Sequence, residues 1–185
     1  QSVQLARGRD LWIQLGWLYV DTTRVLECFA PEGSPPLTVI PVLDLAELQE
    51  VLADNRRRVA GIVTEVPTNP LLQTPDLQQL RSLADRCQAA LILDPTLASP
   101  HNIEILGYAD LVVHSLTKYA AIEGDVMMGA LILNVRSRFH ADLAPLVTAW
   151  GSSPGPGDLA RLAAEIGDCG ASMAVLNRNA AAVAA

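Results

Sequence analysis

Short apolar runs alternate along this chain with segments whose apolar residues recur every three or four positions. Four of the runs predict strands: GIVTE at 61–65, ALILD at 90–94, DLVVH at 110–114 and ALIL at 130–133. Successive apolar positions in each run indicate strands that are covered by helices on both faces. Strands that alternate with helices form crossover units, so the sequence predicts an α/β fold with a mostly parallel sheet and helices on both of its faces.

Three helices are predicted around these strands. The segment TPDLQQLRSLADRCQ offers Thr74 as N-cap, Pro75 at the first helical position and a stripe of Leu and Cys residues. In LDLAELQEVLADN, Asp44 is followed three positions later by Glu47, the spacing of a capping box. The loop GSSPGPG precedes a long helical pattern that runs from Asp158 to the C-terminus.

The charge and hydropathy of the chain limit its partners. Its 185 residues carry 13 Lys and Arg against 20 Asp and Glu, a net charge of −7. The chain therefore lacks a broad basic face, and we expect no nucleic-acid partner. No apolar run is long enough to cross a bilayer, and the first residues lack the order of a signal peptide, so we expect no membrane association.

Three cysteines, Cys28, Cys87 and Cys169, are far apart and lack the spacing of metal ligands. Their odd number and wide spacing are typical of a reduced cytoplasmic protein, and we expect no metal site. Cys87 and Cys169 fall in helix-like patterns, so we expect both thiols to lie in the core.

Both ends of the chain have the character of interior sequence. The chain begins with Gln1 rather than Met, and it stops inside NRNAAAVAA, an alanine-rich helical pattern without Gly or Pro to end it. We therefore expect the chain to be cut at both ends.

Polar side chains follow the predicted strands at their carboxyl ends, where ligands bind in open α/β sheets. This set comprises Glu65, Asn69, Asp94, Ser115, Thr117 and Lys118. An acid, two hydroxyls and a primary amine together match the needs of pyridoxal phosphate. Its aldehyde requires a lysine for a Schiff base, its ring nitrogen requires a carboxylate, and its phosphate requires hydrogen-bond donors.

Each group has a physical reason for its assignment. A buried carboxylate that faces the ring nitrogen keeps this nitrogen protonated, which makes Asp94 the candidate partner. The hydroxyls of Ser115 and Thr117 are placed to donate to the phosphate while Lys118, on the same turn, reaches the aldehyde.

These residues also have ordinary structural interpretations. Lys118 could be an exposed loop lysine, Asp94 a helix cap or turn residue, and Asn69, which precedes a proline, a turn signal. Ser115 and Thr117 could cap a helix. The residues taken alone leave both interpretations open.

Several segments, in the same order, resemble the Cys/Met-metabolism family of pyridoxal-phosphate enzymes, which includes cystathionine gamma-synthase, cystathionine lyases, methionine gamma-lyase and the homoserine sulfhydrylases. VVHSLTKY resembles the lysine signature of the family, TEVPTNPLLQTPDL its Glu-x-Pro-x-Asn-Pro segment, LILDPTLASP its Asp-Asn-Thr block and WLYVDTTRVLE its Tyr-Gly-Gly-Thr region. RNAAAVAA is similar to the helix that leads toward the small C-terminal domain. The resemblance implies the large domain of an aspartate-aminotransferase-like, fold type I enzyme.

The resemblance also implies pyridoxal phosphate as cofactor and a role for each matching residue. Lys118 becomes the lysine that forms the Schiff base, Asp94 the partner of the pyridine nitrogen, and Ser115 and Thr117 the phosphate ligands.

Three further positions take roles from the same resemblance. Tyr19 would stack on the cofactor ring and help to handle protons, Asn69 would hydrogen-bond the ring hydroxyl, and Thr96 would line the other face of the ring. The implied substrate is a small amino acid, and the implied state of the full-length parent is a homo-oligomer.

The chain departs from the family pattern at several positions. Pro95 stands where the family has Asn, and Val20 and Asp21 stand where it has two glycines. After the lysine, Ile122 and Glu123 replace the usual Gly-His pair. These departures lie around the cofactor positions and leave the substrate class open.

Parts of the family pattern are not found in residues 1–185. These are the glycine-containing phosphate loop, the N-terminal arm and the C-terminal small domain, so residues 1–185 match a partial pyridoxal-phosphate-binding large domain. The implied activity is that of a lyase or transferase acting at the β- or γ-carbon of sulfur-containing or O-activated amino acids. The alternative is a catalytically incompetent fragment with a role in assembly, and we expect the chain to be inactive alone.

Overall fold

A computed structural model describes residues 2–30, 32–41 and 43–184. Its strands are β1 (Leu11–Leu15), β2 (Thr38–Ile40), β3 (Val59–Glu65), β4 (Ala90–Asp94), β5 (Leu111–Ser115) and β6 (Gly129–Leu133). Its helices are α1 (Ser2–Leu5), α2 (Val20–Cys28), α3 (Leu45–Asp54), α4 (Leu77–Cys87), α5 (His140–Trp150), α6 (Pro156–Glu165) and α7 (Cys169–Ala184). None of the helices in these ranges is both long and apolar enough to cross a membrane.

The strands form one sheet in the order β2-β1-β3-β4-β5-β6. All neighbouring pairs are parallel except β5 and β6, which are antiparallel. The predicted α/β fold with a mostly parallel sheet is therefore confirmed. Because the first five strands run in the same direction, their carboxyl ends lie along one edge of the sheet.

Apolar side chains cover both faces of the central strands. On one face, Leu48 of α3 and Leu80 of α4 pack with Ile62 of β3 in the main core cluster. On the other face, Trp12 of β1 packs with Val63 and neighbouring residues of the same strands. Burial of this kind stabilises the fold by about 25 cal/mol per Å² of apolar surface that is removed from water.

The close packing of Trp12 explains a glycine in the middle of β3. A Cβ atom at Gly61 would lie 2.4 Å from Cζ3 of Trp12 and 3.0 Å from the carbonyl oxygen of Ala90. Only a residue without a side chain lets the indole ring lie across this strand.

Two strands of the sheet were not predicted. β1 is completely buried although its sequence, LWIQL, includes Gln14. The Gln14 amide nitrogen donates to the carbonyl of Gly16 (3.1 Å), and its oxygen accepts from the Thr23 hydroxyl (2.9 Å). A buried polar side chain is tolerated when both ends are hydrogen-bonded in this way. β2 has only three residues and no clear sequence pattern.

The helix predictions need two corrections. The N-cap of α4 is Asp76 rather than Thr74, because the Asp76 carboxylate accepts the N–H of Gln79 (2.9 Å) and its charge complements the helix N-terminus. The long helix predicted from Asp158 is interrupted by a 3₁₀ turn at Ile166–Asp168, which contains a glycine of low helix propensity. The cap at Asp44 is confirmed by bonds from the N–H groups of Ala46 and Glu47.

The prediction that all four apolar strands are covered on both faces is wrong for β6. Leu131 and Ile132 are 48% and 39% exposed, because β6 lies at the sheet edge with a neighbouring strand on one side only. The predicted burial of Cys87 and Cys169 is confirmed, and Cys28 is exposed.

Candidate active site

The carboxyl ends of β3, β4 and β5 bring the predicted polar residues to one edge of the sheet. Glu65 and Asp94 are register partners at the ends of β3 and β4. The N–H of Ser115, at the end of β5, donates to the Thr96 hydroxyl (2.9 Å). These contacts place Glu65, Asp94, Thr96 and Ser115 side by side, and the strand-end pattern predicted this position for Glu65, Asp94 and Ser115.

Asp94 is half-buried and uses one carboxylate oxygen in the protein. Its Oδ1 accepts the N–H of Thr96 (2.9 Å). The interpretation of Asp94 as a turn residue is therefore correct for this oxygen. Within residues 2–30, 32–41 and 43–184 no group donates to Oδ2, which leaves one carboxylate oxygen available for a ligand.

A turn, rather than a helix, follows β5 at residues 116–120. The alternative that Ser115 and Thr117 cap a helix is therefore wrong. The Thr117 hydroxyl donates to the carbonyl of Met128 (3.3 Å) and accepts the Met128 N–H (3.1 Å). These two bonds fasten the turn to the residue before β6. The Ser115 hydroxyl has no hydrogen-bond partner among the residues that the structure describes.

Lys118 lies in this turn, exposed and without an ion pair or hydrogen bond to any described residue. It is the sole lysine of the 185 residues. Its position fits the interpretation as an exposed loop lysine. The position also leaves a free primary amine three residues after Ser115, on the edge that carries the free oxygen of Asp94.

Hydrogen bonds to Glu65 hold the backbone of Tyr19 and of Asn69 at this edge. The backbone N–H of Tyr19 donates to Oε1 of Glu65 (2.6 Å), and the N–H of Asn69 donates to Oε2 (3.1 Å). Both residues are exposed, Tyr19 to 62%. The sequence placed Glu65 at this edge but gave it no role.

The environment of Glu65 affects its protonation. Burial raises the pKa of the Glu65 carboxyl, and the negative charge of Asp94 raises it further, while the bonds from Tyr19 and Asn69 act in the opposite direction. The carboxylate form therefore depends on these two N–H donors for its stabilisation.

Sequence reasoning also missed His114. It is buried on the face of β5 opposite to Ser115, and neither ring nitrogen has a hydrogen-bond partner in the described part of the chain. Burial lowers the pKa of this imidazole and so favours its neutral form, while the negative charge of Asp94 and the backbone of Ser115 act in the opposite direction.

The groups at this edge fit pyridoxal phosphate. Lys118 supplies a free amine, Asp94 a half-buried carboxylate with one free oxygen, and Ser115 an unpartnered hydroxyl. Tyr19 supplies an exposed aromatic ring, and rings of this kind stack on planar ligands. Thr117 is the exception, because its hydroxyl is already bonded to Met128 on both sides.

A groove of about 700 Å³ lies at the opposite edge of the sheet. Its buried carboxylate, Asp110, accepts from Arg81 (2.8 Å) and from the Ser137 hydroxyl (2.6 Å). Arg81 and Arg138 also pair with Asp85. The charges of Arg81, Arg138, Asp85 and Asp110 are therefore matched within the protein. Among the described residues there is also no cluster of His, Cys, Asp and Glu side chains that could hold a metal ion.

Comparisons with known proteins identify the family of the chain. The family model described as Cys/Met metabolism PLP-dependent enzyme matches residues 2–185. A solved structure of cystathionine gamma synthase from Xanthomonas oryzae pv. oryzae, in complex with cystathionine, is similar with a TM-score of 0.74 and 26% identity. That similarity covers 92% of this chain and 44% of the other. Structures of this kind are fold type I enzymes, which confirms the fold implied by the motifs.

Two curated relatives show how varied the similar proteins are. L-2-amino-4-chloropent-4-enoate dechlorinase/desaturase from Streptantibioticus cattleyicolor is 44% identical over 185 residues, 99% of this chain and 36% of that protein. Alanine racemase ungC from Aspergillus violaceofuscus is 41% identical over 144 residues, 75% of this chain and 24% of that protein. The chain spans about a third or less of the length of these relatives.

Proposed function

The chain belongs to the Cys/Met metabolism PLP-dependent enzyme family, and we propose that its parent enzyme acts at the β- or γ-carbon of sulfur-containing or O-activated amino acids. The observation that carries this proposal is the free amine of Lys118 on the sheet edge where Asp94 presents an unpaired carboxylate oxygen. The resemblance found in the motifs is confirmed by the family match, and pyridoxal phosphate is the cofactor of the family.

We propose that residues 1–185 form part of the cofactor-binding large domain of a longer, homo-oligomeric and cytoplasmic enzyme. The share of each relative that the chain spans supports the first statement. The three free cysteines support a reducing compartment.

Each residue at the edge then has a defined task. Lys118 would hold the cofactor and, once released, would move the proton at the α-carbon of the substrate. Asp94 would keep the cofactor's ring nitrogen positively charged through its free oxygen. When bound, pyridoxal phosphate stabilises the negative charge that develops at the α-carbon.

The remaining residues hold and orient the cofactor. The Ser115 hydroxyl would donate to its phosphate, and the exposed ring of Tyr19 would lie against its ring and assist proton transfer. Asn69 and Thr96 would contact the ring hydroxyl and the other ring face. Thr117, whose hydroxyl is bonded to Met128, would contribute to the phosphate by fixing the turn.

The compounds named for two of the similar proteins support a substrate with a leaving group at its γ-carbon. Cystathionine carries sulfur at a position where it can leave, and the chlorinated carbon in 2-amino-4-chloropent-4-enoate is the γ-carbon. We expect the parent enzyme with pyridoxal phosphate to turn over cystathionine or an O-acylated homoserine, which product analysis by mass spectrometry will detect. Interconversion of alanine enantiomers without turnover of any substrate that carries a leaving group would contradict this proposal.

Residues 1–185 alone are expected to hold pyridoxal phosphate weakly and to lack activity. A tightly held phosphate needs several charge-assisted donors, and the Ser115 hydroxyl is the main predicted donor that is free in the described ranges. The purified 185-residue chain should lose its visible absorption band on dialysis after incubation with the cofactor. A band that survives dialysis, together with turnover of cystathionine, would show that the chain is catalytically complete and would exclude the assembly-only alternative.

A further inference from the structure

We propose that Glu65 is a positioning residue that holds Tyr19 and Asn69 at the cofactor site. The inference rests on the proposed function, because it assumes that Tyr19 and Asn69 contact pyridoxal phosphate. It adds a residue for which the motifs supplied no role.

The geometry of Glu65 is that of a two-sided clamp. It is the last residue of β3 and is only 8% exposed. Its Oε1 binds the N–H of Tyr19, 46 residues earlier in the chain, and its Oε2 binds the N–H of Asn69, four residues later. One carboxylate therefore connects the start of α2 to the loop after β3.

The clamp also determines where the two segments lie relative to the edge of the sheet that carries Asp94. Glu65 is the register partner of Asp94, and the N–H of Val66 donates to the Asp94 carbonyl (2.8 Å). The carboxylate that binds Tyr19 and Asn69 is thus fixed to the strand that carries the proposed partner of the ring nitrogen. Both bonds to Glu65 are made by backbone N–H groups, so Glu65 fixes the backbone from which the side chains of Tyr19 and Asn69 extend.

Only an ionised glutamate can serve both N–H groups. Glutamine has one carbonyl oxygen, and its NH₂ group would face the second N–H, so Glu65→Gln loses one of the two bonds. Aspartate keeps the charge but is one methylene shorter, so Glu65→Asp cannot reach both segments. A hydrogen bond to a charged group contributes about 1.5–3 kcal/mol, which corresponds to a change of about tenfold or more in an equilibrium constant.

The first test measures the apo-protein and needs no cofactor. Amide hydrogen exchange followed by NMR should show that Glu65→Gln accelerates exchange about tenfold or more at Tyr19, at Asn69 or at both. The matched control is Glu50→Gln, which removes the same charge from an exposed position of α3. It should change neither amide. Equal exchange in the Glu65 variant and in the wild type would overturn the clamp.

The second test asks whether the clamp acts through Tyr19. In the parent enzyme, Glu65→Gln and Tyr19→Ala should each weaken cofactor binding about tenfold, and the double variant should be little worse than either single variant. Additive losses would overturn the inference while the proposed function stands. The inference would also be overturned if the loss of cofactor binding were accompanied by a matching fall in the melting temperature of the apo-protein. Glu65→Asp serves if the glutamine variant does not fold.

The two possible failures can be distinguished. If the wild-type parent enzyme does not bind pyridoxal phosphate, the proposed function fails and this inference fails with it. If the wild type binds the cofactor with Lys118 but the two variants act independently, only the positioning role of Glu65 is wrong.

Discussion

Replacing Lys118 with alanine in the parent enzyme is expected to lower kcat by about 10³-fold, because the change removes the amine that we propose holds the cofactor and moves the α-proton. The melting temperature should stay close to that of the wild type, since the Lys118 side chain is exposed and forms no ion pair or hydrogen bond with a described residue. Steady-state kinetics and thermal unfolding of the same preparations measure both effects.

Two further variants distinguish the loss of the Lys118 amine from the loss of a positive charge. Lys118→Arg keeps a positive charge, but a guanidinium does not give up its proton at neutral pH and cannot replace the amine. This variant should therefore be as inactive as Lys118→Ala. Arg136→Ala removes an exposed cation that pairs with no described residue and lies at the opposite edge of the sheet, so it should leave kcat unchanged. An active Lys118→Ala enzyme would rule out the assignment of the reactive amine.

Replacing Asp94 with asparagine is expected to lower kcat by about 10²-fold or more, a loss of the size found when one electrostatic stabiliser is removed from an active site. The amide keeps an oxygen that can accept the Thr96 N–H, so the turn after β4 should persist. The amide carries no charge, however, and cannot keep the ring nitrogen of the cofactor protonated.

Asp94→Asn should also change cofactor retention and the exchange of the substrate α-proton. We expect the variant to retain part of its cofactor while exchange of the substrate α-proton with deuterated solvent slows in parallel with kcat. Asp94→Glu restores the charge at a shifted position and should recover part of the loss. Unchanged turnover in Asp94→Asn would refute the role of this carboxylate.

The central strands were predictable because their signal is local. β4 has the predicted bounds, and β3 extends the predicted strand by two residues. Both are runs of mostly apolar residues, which predict a buried strand without information from elsewhere in the chain. β1 is different, because burial of Gln14 depends on the Thr23 hydroxyl from α2. The exposure of β6 could not be predicted either, because an apolar run does not indicate that its strand lies at the edge of the sheet.

The same distinction applies to the site. Asp94 and Ser115 were placed correctly because parallel strands end at the same edge, which follows from the fold class alone. The bonds between Thr117 and Met128 were not predictable, since they join residues across a turn whose shape the sequence does not specify. The contact between Glu65 and Tyr19 joins residues 46 positions apart, and no local pattern points to it.

The most direct test of the account is to determine which amine holds the cofactor. Borohydride reduction of the parent enzyme in the presence of pyridoxal phosphate fixes the cofactor to any amine that binds it covalently, and peptide mapping by mass spectrometry then locates the adduct. We predict a single stoichiometric adduct on Lys118, within the peptide that contains VVHSLTKY. An adduct on another lysine of the parent, on the N-terminal amine alone, or on no residue would contradict the account.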